Sequence, residues 1–187
     1  MTYKKTDLSI SMNQASLYSI LFAIPIIILF GWLFVARWGF QSFMLGFDSF
    51  FTNLLSFFLY FILGIAVHEL IHGITWMIAG KKPLNAIKYG FQVSTLTPYA
   101  HCKEPMYVNA YRIGAVMPGL LLGVVPSLIA ILNGNIWLIA FGIFFTIAAG
   151  GDFTILWLLR NVSKDKLVED HPAQAGCYIL EEIVAST

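Results

Sequence analysis

His68-Glu69-Leu70-Ile71-His72 decides how this chain is read. In a helix, residues four apart stand one turn above each other, so both imidazoles can face one ion from one side, with Glu69 offset from them. Neutral imidazoles are zinc ligands, an open coordination position takes a water, and a carboxylate beside it can accept that water's proton. A chain of this size and ordinary composition would hold the pattern by chance in roughly one of a few hundred cases. The competing reading is two structural histidines with a glutamate partner on a buried helix. The setting disfavours it, because from 50 to 79 the only charged side chain is Glu69, and ionisable groups in such a run are costly and usually functional.

Composition sets the class. Hydrophobic residues make up 58% of the chain and charged residues 11%, against about 25% charged in an ordinary soluble domain. A membrane protein is expected, with the lipid bilayer as its first partner. The formal charge of +1 leaves no basic face for nucleic acid, so no nucleic-acid partner is expected. Cys102 and Cys177 form neither a paired metal motif nor a disulfide framework and are read as reduced thiols.

Outward from the motif, the expected architecture is a single integral domain over 1–187. It is all-α, with about four transmembrane helices and a short β-hairpin or strand in the cytoplasmic connection. The spans are 17–36, 50–79, 113–132 and 136–159, each long enough to cross about 30 Å of hydrocarbon. Residues 1–16 are a polar lead, and Pro25 is a kink in a mature first span rather than in a cleaved signal. Trp38, Phe40, Phe43 and Phe47, interleaved with Gly39, Gly46 and Asp48, read as an aromatic turn at the interface. Residues 81–112 are the polar connection, in which Ile87 to Thr97 suggests a strand or hairpin. Pro118, Gly119, Gly123 and Pro126 should bend or break the third span, and 160–187 is a charged tail, solvated rather than catalytic, in which Asp170-His171-Pro172 could cap a docked segment and Cys177-Tyr178-Ile179-Leu180 could pack on the cytoplasmic face.

Lysine and arginine fix the expected orientation. The lead, the connection and the tail are rich in them, whereas the other two connections hold only Arg37. A multi-pass protein of the cell membrane with both termini cytoplasmic satisfies this, and it places both cysteines in a reducing compartment.

Depth then relates distant residues. His72 lies nine residues before Lys81, roughly 13 Å along a helix, and Asp152 lies eight before Arg160, roughly 12 Å. Asp152 is therefore the natural third ligand, and Gly150 and Gly151 would let two helices approach closely enough for its short side chain to reach the ion. Pairing with a stray cation or a kinked backbone is the alternative. Pro118 and Gly119 fall at similar depth, roughly 9 Å beyond Arg112, and either line a substrate site or form a packing kink. His101, Cys102 and Glu104 are rival ligands that would have to fold back into the membrane, and His101 is placed at the entrance, on the substrate side. The 87–97 strand could hold a substrate in extended form by its unpaired edge, or be a structural hairpin. Haem is disfavoured, since two histidines on one helix face cannot sandwich it.

The motif, the Tyr99-Ala100-His101-Cys102-Lys103-Glu104-Pro105 segment, Met117-Pro118-Gly119 and Gly150-Gly151-Asp152 together resemble the putative zincin peptidase family of bacterial membrane proteins, itself similar to the site-2 proteases. The resemblance covers most of residues 60–160. It implies zinc held by His68, His72 and Asp152, Glu69 as catalytic acid/base, and a membrane protein or peptide as substrate. The distal motif departs from the site-2 pattern, reading Gly-Gly-Asp-Phe where Leu-Asp-Gly is usual. A membrane protein that keeps such a site to bind metal without using it is the alternative function.

Overall fold

The computed structural model describes residues 3–93 and 97–183, without the side chains of Phe47, Phe50 and Phe51. The chain opens with strand β1 (Tyr3–Ile10) and enters helix α1 (Met12–Trp38) through a capping box. In that box Ser11 accepts the Gln14 N–H and the Gln14 side chain accepts the Ser11 N–H, which satisfies two donors that a helix start otherwise leaves orphaned. The expected polar lead is thus a strand plus the first helical turn. α1 runs through Pro25 without interruption.

Gly39 (φ 82) ends α1, and α2 (Phe40–Thr52) follows where an interfacial aromatic turn was expected. The reversal needs Gly39 alone. Gly46 serves packing instead, because a Cβ there would lie 2.4 Å from Ile136 Cγ1. After Asn53 the chain re-enters a helix, α3 (Leu54–Ala79), which carries the motif near its end.

The connection holds hairpin β2 (Ile87–Gln92) and β3 (Thr97–Cys102), antiparallel, as the alternation of aromatic and β-branched residues suggested; residues 94–96 of the expected 87–97 strand lie outside the described residues. Strand β4 (Met106–Tyr107) leads into α4 (Val108–Pro118), a π-helical stretch (Gly119–Val124) and α5 (Val125–Asn133). The two prolines widen this helix rather than break it: Pro126 has no N–H and would clash with the carbonyl four residues back, and a π turn relieves that. Gly134 (φ 78) closes α5 in the left-handed region, Asn135 caps α6 (Ile136–Ala148), and α7 (Gly150–Leu159) follows at a bend of 43°.

The tail is not a solvated appendage. Strands β5 (Leu167–Asp170) and β6 (Ala175–Glu182) complete an antiparallel sheet in the order β1-β6-β5-β4, with β1 and β6 paired from Tyr3↔Glu182 to Ile10↔Ala175. Its inner face joins the helices in one core of Trp76, Ile87, Cys102, Tyr111, Leu159, Val168 and Cys177. The expected all-α description is corrected accordingly, since the molecule is mostly helical with a sheet built from both ends of the chain and a piece of the middle.

Among the described residues three helices are long and apolar enough to cross a membrane, Met12–Trp38, Leu54–Ala79 and Val108–Asn133, and the bent pair α6–α7 makes up to four. Their outward faces are apolar too: Ile20, Ile24, Ile28 and Trp32 on α1 are each at least 60% exposed. Buried hydroxyls inside the helices, Ser127, Thr146 and Thr154, donate to the carbonyl four residues back, so none needs water.

Candidate metal centre

His68 and His72, one turn apart on α3, point inward and are buried. Asp152 meets them from the first turn of α7, where the helix N-terminus favours negative charge. Its two oxygens divide between the rings: Oδ2 is 3.2 Å from His68 Nε2 and Oδ1 is 3.3 Å from His72 Nε2. One ligand atom from each residue lies within 4.8 Å of the others, and among the described residues no other group of histidine, cysteine and carboxylate ligands does so.

The neighbours fix the rings. His68 stacks on Phe145 with centroids 6.4 Å apart, and His72 stacks on Trp76 at 5.5 Å, which in turn lies parallel to Tyr111 at 5.8 Å. His72 Nδ1 is 3.0 Å from the carbonyl oxygen of Gly114 on α4. A carbonyl only accepts, so Nδ1 carries the hydrogen and the neutral ring presents the Nε2 lone pair to a carboxylate oxygen. Two lone pairs at that distance need a positive charge between them. Two imidazoles and a carboxylate, one ring oriented by a carbonyl behind it, are a donor set suited to zinc, and the residues present fit that ion.

Glu69 is half-buried and lines a cavity of about 490 Å³ together with His68, His72 and Asp152. Ala100 on β3 lines the same cavity. Residues 97–101 of β3 form one side of the cavity and residues 170–176, between and within β5 and β6, another. The tail therefore contributes to the site, which a pattern of scattered charges and apolar residues did not signal.

The remaining sequence candidates separate. His101 lines the cavity with Nδ1 2.9 Å from Asp170 Oδ2, and Asp170 also accepts from the Tyr111 hydroxyl (2.6 Å) and the Cys102 N–H (3.2 Å). Cys102 and Glu104 stand outside the metal group; Glu104 pairs with Lys82 at 3.4 Å. Pro118 and Gly119 are not among the residues lining the cavity. Pro118 is fully buried, and a Cβ on Gly119 would meet Ala149 Cβ at 2.8 Å. Gly150 gives close approach to α1, at Ser19, rather than to α3; α3 nears α6 through Gly64, where a Cβ would lie 2.4 Å from the Phe145 ring. Trp76, Tyr111, Gly114 and Asp170 were not singled out as site residues by the sequence. Gly114 could have been flagged only by knowing that α4 crosses α3 there.

A family profile described as "Putative zincin peptidase" matches residues 61–167, a stretch holding the whole pentapeptide and Asp152. No curated protein and no solved structure matches the chain. With more than half its length covered, and with the two histidines and distant aspartate of the matched region drawn to one point, the chain belongs to the putative zincin peptidase family.

Proposed function

We propose that this protein is an intramembrane zinc metallopeptidase, site-2-protease-like, that hydrolyses a peptide bond in or near a membrane segment. The observation that carries the reading is the convergence of His68, His72 and Asp152 beside Glu69 in one cavity. Zinc bound there supplies Lewis acidity, polarising the scissile carbonyl and bringing the pKa of water toward about 7. Glu69, offset from the ligands on the same helix, takes the proton from the attacking water and returns it to the departing amine. Asp152 completes the donor set, the Gly114 carbonyl orients the His72 ring, Trp76 and Phe145 keep the imidazoles from rotating, and apolar packing around them excludes bulk water.

A peptide substrate would lie along the side of the cavity formed by residues 97–101 of β3. His101, held by Asp170, stands on that same wall as a substrate-side group. The apolar outer faces support a bilayer setting, and the pairing of β1 with β6, plus β4 in the same sheet, gathers the three lysine- and arginine-rich segments on one side. That supports cytoplasmic termini and a water route to the metal from the cytoplasm.

The test is cleavage of a reconstituted membrane peptide by the zinc-loaded protein and by Glu69→Gln. Turnover that disappears in the variant, with zinc retained, supports the reading. Undiminished turnover removes Glu69 from the mechanism. Stoichiometric zinc without any cleavage favours a protein that binds metal without using it.

A further inference from the structure

In the β2–β3 ladder the partners run Ile87↔Cys102, Tyr89↔Ala100 and Phe91↔Pro98. Antiparallel residues alternate between facing the partner and facing away. Cys102 N–H donates outward to Asp170 (3.2 Å), Ala100 has the same register and lines the cavity that Glu69 lines, and Pro98, two residues earlier, has no N–H to give. Residues 98, 100 and 102 thus face away from β2, as proline on an edge requires. One of the two donors of that edge is taken by the Asp170 carboxylate, and the other, on Ala100, belongs to the wall of the cavity that holds Glu69.

The height of the hairpin on α3 is set by a second contact. Gly73 lies one turn beyond Glu69, and a Cβ there would stand 2.0 Å from the Tyr89 hydroxyl and 2.9 Å from Ile87 Cγ2. Tyr89 is the ladder partner of Ala100, so seating its ring on Gly73 fixes where the Ala100 N–H arrives. The surroundings agree: burial, and then the nearby Glu69 carboxylate, push the Tyr89 phenol up, keeping it a neutral group against the helix.

We propose, resting on the metallopeptidase reading, that the outer edge of β3 positions the catalytic glutamate: Ala100 N–H holds the Glu69 carboxylate toward the cavity, and Tyr89 seated on Gly73 sets the register at which it does so. Ala100, Tyr89 and Gly73 are positioning residues. An unanchored glutamate has several rotamers, and one charge-assisted hydrogen bond selects among them before substrate arrives.

Amide exchange in the metal-free protein in micelles, with alanine and cysteine labelled with ¹⁵N, reads the contact without turnover. The Ala100 amide exchanges slowly in the parent protein and in Glu69→Gln, which keeps an acceptor, and roughly tenfold or more faster in Glu69→Ala. The Cys102 amide, held by Asp170, is unchanged and reports that the variant is folded. Equal Ala100 exchange in parent and Glu69→Ala overturns the proposal. Kinetics give the second arm: Ala100→Pro removes this donor and no ladder bond, and lowers kcat by roughly a hundredfold with KM and zinc content kept. An unaltered kcat overturns it equally. The exchange arm decides even if no peptide is ever found to be cut, so failure of this proposal and failure of the hydrolase reading are distinguishable.

Discussion

The imidazole of His72 donates its Nδ1 hydrogen to the carbonyl oxygen of Gly114, 3.0 Å away across the contact between α3 and α4. That single bond chooses the tautomer, and the tautomer leaves Nε2 as a ligand atom facing Asp152. The same glycine makes room for Trp76, whose indole stacks on the His72 ring. The orientation of one ligand therefore rests on a residue with no side chain.

Gly114→Ala tests this. The new Cβ would fall 2.0 Å from Trp76 Nε1, so either the indole or the α4 backbone must move and the His72 ring follows. Zinc affinity should fall roughly 10- to 100-fold, measured by competition with a chromophoric chelator, with the fold retained. Unchanged affinity would mean that the carbonyl does not orient the ligand.

Glu69→Gln and Asp152→Ala should separate chemistry from metal binding. The first keeps zinc and loses turnover, because the amide cannot accept a proton; the second loses zinc as well, because one of three protein ligands is gone. Metal content by elemental analysis alongside peptide cleavage reads both. Full zinc occupancy in Asp152→Ala would remove that carboxylate from the metal centre.

Asp170→Ala should be among the most destabilising single changes outside the metal site. It leaves His101 Nδ1 and the Cys102 N–H without their shared acceptor and the almost wholly buried Tyr111 hydroxyl with only the Gly176 carbonyl, 3.1 Å away. A loss of about 3–5 kcal/mol is expected from denaturant or thermal unfolding in micelles. A loss under about 1 kcal/mol would show that the tail sheet is only loosely tied to α4 and β3.

Both thiols should be inert in the folded protein. Cys177 is fully buried, and burial, with Asp170 and Asp7 adding, pushes its thiol up to about 12; Cys102 is also raised, first by burial. At pH 8 the Cys177 thiolate fraction is then roughly 10⁻⁴, some 10³-fold below that of a free cysteine. Maleimide labelling should be negligible at pH 8 and complete after denaturation. Rapid labelling of the folded protein would show that the sheet opens readily.

Much of the site was legible because depth along a helix follows from counting residues. His72 and Asp152 share a level by their distances to Lys81 and Arg160, and that arithmetic survives because the 43° bend falls before Gly150, so the count from Asp152 runs along α7 alone. The tail was misread for the opposite reason. β1 and β6 pair residues 165 to 179 positions apart, from Ile10↔Ala175 to Tyr3↔Glu182, and a strand that finds its partner so far away carries no local mark beyond weak alternation. Gly46 and Gly119 look like turn or kink signals in sequence, yet each serves close packing in a helical stretch, which only the neighbouring element reveals.

X-ray absorption at the zinc edge of the purified, zinc-loaded protein addresses the central claim most directly. The account predicts one zinc per chain with two imidazole nitrogens and carboxylate or water oxygens at about 2.0–2.1 Å, and loss of that signal in Asp152→Ala. A sulfur shell near about 2.3 Å, or a spectrum unaltered in Asp152→Ala, would contradict it, because the ion would then lie elsewhere than between α3 and α7.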